Sequence, residues 1–270
     1  MSEGVRKDFR VTWLKRKRIE DDSMTARLTD EGVPVVIEQG DKRVNSALVD
    51  SRLVTLKEPA SVAAEQYRIL CTRIAQLRKD KPSYVLALTS SLKSEGKTFT
   101  SLNLAIAIAR DFDEKVLLIE GDLKNPGLYE YLKHPPGFGL TDVLEGKIDI
   151  DACTVQMFDG QLSVLFAGKT AGNPSKLLSS VKMQEIISTA RGNYKYIIID
   201  TPPIMPMADI NIYSTLVDGI LLVIQAGKTP RSLVKRAIST LAADKIVGAV
   251  LNGVEPVHSK YYYGSGYNTY

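Results

Sequence analysis

The sequence predicts an α/β protein: a mostly parallel sheet with helices on both faces. Three observations point to it. From residue 58 onward, short apolar runs alternate with stretches of helical period. A polar loop ending in Gly96-Lys97-Thr98 joins the first clear apolar run to an amphipathic stretch. Carboxylates end two later runs, Glu120 and Asp122 after one and Asp200 after the other. Runs that are apolar throughout, rather than alternating, suit strands buried on both faces, which is the signature of parallel sheet.

The elements follow in order. Ser61 can cap a helix over 62–79, in which Ala64, Tyr67, Leu70, Cys71, Ile74 and Leu77 recur at helical spacing. Residues 84–89 read as a buried strand and 98–112 as a helix with Phe99, Leu102, Ile106 and Ala109 along one face. Further strands are expected at 115–119, 162–166, 194–199, 219–224 and 246–251, with helical stretches at 175–191 and 230–243. No internal repeat is visible.

Composition closes off several functions. The 270 residues suffice for a large core, and 44% apolar with 24% charged is ordinary for a globular chain. A net charge of +4 excludes a protein built mainly to coat nucleic acid, though not a local basic patch. Two cysteines, Cys71 and Cys153, make no disulfide framework, and two histidines, His134 and His258, argue against a histidine zinc site. No apolar run reaches the roughly 18 residues of a membrane span, and the first residues lack the apolar core of a secretory signal. A reduced, intracellular setting is the expectation.

The chain divides by character. Residues 1–57 form a leader with a basic opening (Arg6, Lys7, Arg10, Lys15, Arg16, Lys17, Arg18) and no sustained period beyond a short run at 33–37. It reads as a solvated, flexible segment, with docking to anionic lipid or an acidic partner as the alternative. Residues 58–258 are the regular domain. Residues 259–270 are a biased tail, where Tyr261, Tyr262, Tyr263, Tyr267 and Tyr270 are five of the chain's 12 tyrosines. Uniform scatter would put about 0.4 in the last ten positions, so the enrichment calls for a reason.

The loop carries the chemistry. Ser91-Leu-Lys-Ser-Glu-Gly96-Lys97-Thr98 fits a P-loop with Ser91 where the first glycine usually stands. Such a loop surrounds phosphate oxygens with backbone N–H groups and a helix N-terminus. Gly96 lets the backbone approach, Lys97 reaches the β/γ-phosphates, and the Thr98 hydroxyl binds Mg²⁺. The nucleotide-binding set is therefore Ser91, Lys93, Ser94, Glu95, Gly96, Lys97, Thr98 and Phe99. Asp200, after four apolar residues, has the Walker B form and would hold the Mg²⁺ at the C-terminal sheet edge. Asn252, ending the last strand, is a candidate to read adenine, with a plain strand-end turn as the alternative.

These residues resemble the bacterial tyrosine kinases (BY-kinases), the autokinases of capsule and exopolysaccharide export. The loop resembles the family's TSS-x-P-G-E-G-K-[ST], Val116–Pro126 its Walker A′ motif, and Ile197–Pro203 its Walker B; 139–146, 173–180 and the tyrosine tail also match. The resemblance spans about residues 58–270. It implies a P-loop NTPase fold of the deviant-Walker (SIMIBI-like) kind and identifies 58–258 as a kinase domain. Partition ATPases of the wider class carry a lysine where this chain has Leu92, which favours the kinase branch.

The resemblance also implies roles. Glu120, where the family has Asp, would accept the proton of the incoming tyrosine hydroxyl. Thr98, Asp122 and Asp200 would hold Mg²⁺, so Lys97, Glu120, Asp122 and Asp200 form the catalytic set with ATP and Mg²⁺ as cofactors. Glu65 and Arg68 stand for the family's oligomer motif E-x-x-R-x-x-R, whose last arginine is Cys71 here; Lys124 replaces an arginine after A′. Lys93-Ser94 replaces the family's Pro-Gly. The expected activity is Mg²⁺/ATP-dependent autophosphorylation in trans of the five tail tyrosines. The expected setting is cytoplasmic, at the inner membrane face, through a transmembrane polysaccharide co-polymerase that activates the kinase. A cognate tyrosine phosphatase and a homo-oligomer are implied as partners; nucleic acid is not. The alternative is an ATP-binding switch or scaffold of partition type, favoured by Glu120, Lys93-Ser94 and Cys71 and opposed by the tail.

Overall fold

The computed structural model describes residues 26–28, 34–36, 44, 49–135, 137–169, 172–206 and 210–254. The basic opening of the leader, His258 and the tail tyrosines lie outside them. The chain divides into two units, Met1–Gln39 and Gly40–Tyr270. In the first, β1 (Ala26–Leu28) and β2 (Pro34–Val36) pair antiparallel, with Arg27 opposite Val35.

The second unit runs α1 (Val54–Lys57), α2 (Val62–Arg78), β3 (Tyr84–Ser90), α3 (Lys97–Asp111), β4 (Val116–Glu120), α4 (Leu128–Leu132), α5 (Leu140–Leu144) and α6 (Ile150–Cys153). It continues with β5 (Val155–Met157), β6 (Leu162–Leu165), α7 (Pro174–Leu178), α8 (Val181–Asn193), β7 (Tyr196–Asp200), α9 (Ile210–Ser214), β8 (Gly219–Gln225), α10 (Arg231–Ile238) and β9 (Ile246–Asn252). The strands form one seven-stranded sheet in the order β5-β6-β4-β7-β3-β8-β9. All neighbours are parallel except the antiparallel pair β5 and β6 at one edge. The expected fold class is the observed one.

Alternate residues of the central strands feed two separate cores, as the strand period requires. Leu86, Leu88, Leu118, Ile198 and Val223 pack toward α2 and α3, while Val85, Ala87, Leu117, Ile199 and Leu222 pack toward α8, α9 and α10. Both faces are covered, which is why these strands read as unbroken apolar runs. The N-terminus of α2 forms as its sequence dictates: the Ser61 hydroxyl accepts the Ala64 N–H at 3.1 Å. Helix α3 is buried at every position from Thr100 to Ala109, because α1 and α2 close over the side that faces away from the sheet.

That closure begins earlier than residue 58. Val49 and Leu53 are buried in the core, and the Thr55 N–H and hydroxyl both donate to Asn103 Oδ1 of α3, at 3.1 and 3.0 Å. Residues 49–57, assigned to the leader for want of a period, therefore pack with the domain. The helical stretch at 175–191 is two helices, broken at Ser179-Ser180, where Asn173 caps the first by accepting the Lys176 N–H. The stretch at 230–243 ends as a helix at Ile238; Ser239 and Thr240 turn their hydroxyls back to carbonyls of the last turn.

At the N-terminal edge of the sheet, Asp218 ties three elements together. It accepts the Val85 N–H at 2.8 Å and pairs with Arg191 at 2.8 Å and Lys81 at 3.2 Å. Burial works against its charge, but Arg191, the Val85 amide and Lys81 together hold the carboxyl below its usual range. A depressed folded value means stability that is present above the unfolded carboxylate range and is lost as pH falls through the folded value. We expect Asp218→Asn to cost roughly 1–2 kcal/mol at neutral pH, with the difference from wild type vanishing in strong acid. Urea melts at pH 7 and pH 3 check it.

Candidate functional site

The P-loop spans Ser91–Thr98 between β3 and α3, at the C-terminal edge of the central strand. Its shape is held from within and from behind. Glu95 turns back so that its carboxylate accepts the Leu92 N–H at 2.8 Å and a hydrogen bond from the Thr229 hydroxyl. Asn252 Nδ2 donates to the Glu95 carbonyl at 3.0 Å. Gly96 has φ +92°, and a Cβ there would meet Asn252 Nδ2 at 2.0 Å, so both conformation and space demand glycine.

Ser94, where the resembling family has glycine, sits at φ +67°. A side chain in the left-handed region costs roughly 1–2 kcal/mol. We expect Ser94→Gly to raise the melting temperature by a few degrees, about 1 kcal/mol at this chain length, and to leave the loop's path unchanged. Lys93, its neighbour, reaches across to Asn125 Oδ1 at 3.2 Å.

Strand register gathers the acidic groups. Glu120 pairs with Asp200 across β4 and β7, and Asp200 pairs with Leu88 of β3, so both carboxylates leave the sheet beside the P-loop. Gly121 and Asp122 both donate backbone N–H to the Asp200 carbonyl, at 2.8 and 3.1 Å. Lys97 Nζ lies 2.9 Å from Asp122 Oδ2 and 3.9 Å from Asp200 Oδ1. The Thr98 hydroxyl donates to Asp200 Oδ2 at 2.6 Å and Ser101 to Asp200 Oδ1 at 3.3 Å. Burial pulls the Lys97 ammonium down, but Asp200 and Asp122 outweigh it and hold it above its ordinary range. Burial pushes Asp200 up, against the pull of Lys97 and the hydrogen bond from Thr98. The result is a compact cluster of one basic and two acidic side chains.

The structure thus brings together Ser91, Lys93, Ser94, Glu95, Gly96, Lys97, Thr98, Asp122, Asp200 and Asn252. It places others differently. Phe99, the residue after Thr98, turns its ring edge-on to Tyr67 of α2, 6.5 Å between centroids. Glu120 is 1% exposed and its oxygens are already taken: Oε1 by the Gly127 and Leu128 N–H groups at 2.5 and 2.7 Å, Oε2 by the Ala167 N–H at 2.9 Å. In this arrangement Glu120 joins the segment after β4 to the loop after β6 through three backbone N–H groups. Arg68 holds Glu65, Asp111 and the Pro59 carbonyl of its own chain. Cys71, where the family has arginine, is buried against the core, so the third position of that motif cannot reach a neighbouring subunit. Cys71 and Cys153 are both buried, and burial pushes each thiol up to about 12; neither is a nucleophile. His134 stacks on Phe166, 5.1 Å between ring centres.

The residues fit a nucleotide with Mg²⁺. The Ser91 hydroxyl is fully buried at the mouth of the loop with no hydrogen-bond partner among the described residues. The Thr98 hydroxyl and two carboxylates supply the hard oxygen donors that Mg²⁺ takes in small number, the phosphates and water completing its shell. Sequence reasoning missed the supports: Thr229 and Tyr213. Tyr213 is fully buried and donates to the Gly121 carbonyl at 2.7 Å. Neither lies in a motif, so no sequence signal marked them.

Fold and site define a P-loop nucleotide-binding protein whose lysine, threonine and two strand-end carboxylates converge on one phosphate cradle. The AAA domain family matches residues 86–242. The "Tyrosine-protein kinase YwqD" of Bacillus subtilis is 36% identical over 217 residues, 79% of this chain and 91% of that one. The "Succinoglycan biosynthesis transport protein ExoP" of Rhizobium meliloti is 29% identical over 80% of this chain, which spans only 28% of that relative. The solved kinase domain of Escherichia coli tyrosine kinase ETK superposes with a TM-score of 0.70 at 29% identity, covering 84% of this chain and 87% of that one. The chain belongs to the bacterial tyrosine-kinase family.

Proposed function

We propose that the chain is an Mg²⁺/ATP-dependent protein-tyrosine autokinase serving exopolysaccharide or capsule export, and that its acceptors are its own tail tyrosines. The observation that carries this is the Lys97, Asp122, Asp200 and Thr98 cluster beneath a P-loop, in a chain whose relatives are named tyrosine-protein kinases. Phosphoryl transfer needs positioning and charge neutralisation more than covalent chemistry. The loop amides and Lys97 bind and orient the β- and γ-phosphates. Thr98, Asp122 and Asp200 hold the Mg²⁺, which when bound neutralises charge on the phosphate oxygens. Asn252 fixes the loop from behind, a role compatible with a contact to adenine on its far side. Tyr261, Tyr262, Tyr263, Tyr267 and Tyr270 are the acceptors, offered in trans. Each phosphorylation adds about −1.5 to −2 charges, enough to drive an assembly apart and to make a tyrosine phosphatase the natural reset.

A membrane-embedded polysaccharide co-polymerase is the proposed anchor and activator, placing the kinase at the inner face of the membrane. Two observations support it: no helix of the described residues is long and apolar enough to cross a membrane, and in ExoP the matching segment is part of a much longer transport protein. Truncation after Lys260 tests the acceptor assignment. Phosphate incorporation from ATP falls to background if the tail carries the acceptors, and persists if they lie elsewhere.

A further inference from the structure

The strand-end side chain of Glu120 is buried and accepts three backbone N–H groups from two separate loops. Gly127 and Leu128 begin α4, after the loop that follows β4; Ala167 lies in the loop that follows β6. One side chain therefore joins two loops at the catalytic edge of the sheet. The first loop forms the wall of the phosphate cradle. Asp122 on it pairs with Lys97; Asn125, whose N–H donates to Asp122 Oδ1 at 3.1 Å, meets Lys93; and a Cβ at Gly127 would stand 3.9 Å from Thr98 Cγ2. The second loop holds the start of α5, through the Leu140 and Thr141 N–H groups on the Phe166 and Ala167 carbonyls at 2.7 and 2.9 Å.

From this geometry we infer that Glu120 is a positioning residue. It fixes the segment 121–128 against the P-loop by bracing it to the loop after β6, and Asp122 is the carboxylate beside Lys97 that faces the reacting groups. Glu120 Oε1 accepts from two backbone N–H groups and Oε2 from a third, so one side chain satisfies three donors on two loops. The reach matters. Aspartate is one methylene, about 1.5 Å, shorter, and cannot span amides that lie on opposite sides of the carboxylate. The inference rests on the kinase reading for its effect on turnover, but the brace itself does not.

The test uses the full chain and two substitutions, Glu120→Gln and Glu120→Asp, with two measurements. Amide hydrogen exchange reads the brace directly. The glutamine keeps one carbonyl oxygen for Gly127 and Leu128 and presents an NH₂ to Ala167, so protection falls at Ala167 and is retained at the other two. The aspartate loses protection on at least one of the two sides. Steady-state kinetics reads the consequence: for Glu120→Gln the KM for ATP with Mg²⁺ rises about ten-fold while kcat stays within about ten-fold of wild type, because a misplaced cradle weakens binding first. A Glu120→Gln variant with unchanged exchange at all three amides, unchanged KM and kcat down more than about 100-fold overturns the inference and restores Glu120 as a base. Exchange at these amides as fast in wild type as in exposed loops overturns it as well. If wild type incorporates no phosphate, the kinase reading fails, and the exchange measurement still decides the brace.

Discussion

Replacing Lys97 by methionine eliminates phosphate incorporation, with a loss on the order of 10²–10³-fold or more, the range for removing a group aimed at developing charge. Its ammonium, 10% exposed and 2.9 Å from Asp122, is the cation nearest the phosphate cradle. Methionine fills similar volume and keeps the loop's backbone donors, so the loss isolates the charge. It also exposes a second consequence. Without Lys97, Asp122 and Asp200 are left buried with no cation between them, and removing one partner of a buried pair costs about 3–5 kcal/mol. The sign with pH follows. The ammonium's value is raised in the folded state, so its contribution is fully present below the ordinary lysine range and fades only as pH rises through the folded value. Across neutral pH the wild type feels no change. The variant does: its deficit narrows toward acid as Asp200, which burial already pushes up, takes up a proton. Phosphate incorporation together with thermal melts at pH 5 and pH 8 checks both parts.

Converting Asp200 to asparagine uncouples nucleotide binding from Mg²⁺. Lys97 pairs with Asp122 at 2.9 Å and stands 3.9 Å from Asp200. A bound ATP would draw that lysine toward its phosphates and leave two buried carboxylates facing a polyanion. Mg²⁺ held by Thr98, Asp122 and Asp200 would offset that conflict, and we expect it to strengthen ATP binding by about 10²-fold in wild type, a coupling of about 3 kcal/mol. Asparagine retains an oxygen for the Thr98 hydroxyl and carries no charge. In the variant ATP without Mg²⁺ binds more tightly than to wild type, and the Mg²⁺ effect falls below about ten-fold. Titration calorimetry with and without the metal reads both numbers. Equal Mg²⁺ dependence in the two proteins contradicts the picture of a charge cluster shared between lysine and metal.

The fold was legible where burial leaves a plain pattern. Strands β3, β4, β7 and β8 are covered on both faces, so their unbroken apolar runs named them within one or two residues. The P-loop was legible because its chemistry allows few residue types, and Asp200 because it ends an apolar run. Residues 49–57 were not, since their anchors are scattered and distant: Val49 and Leu53 in the core, the Asp50 N–H on the Tyr131 carbonyl, and Thr55 on Asn103, 48 positions away. The antiparallel edge strand β5 is three residues long, too short to show a period. The least legible feature was Glu120. The resemblance implied proton transfer; the backbone N–H groups at 127, 128 and 167 that Glu120 also accepts are partners no side-chain pattern reports. Ser94 shows the opposite case: the departure from glycine was visible in the sequence, and only the positive φ revealed what it costs.

The measurement that bears most directly on the central claim is the intact mass of the full-length protein after incubation with Mg²⁺ and ATP, beside Lys97→Met. The account predicts a ladder of single-phosphoryl increments in the wild type and none in the variant. An unmodified wild-type mass, with nucleotide bound and the cytoplasmic segment of a candidate membrane activator present, would contradict it and leave a nucleotide-driven switch in its place.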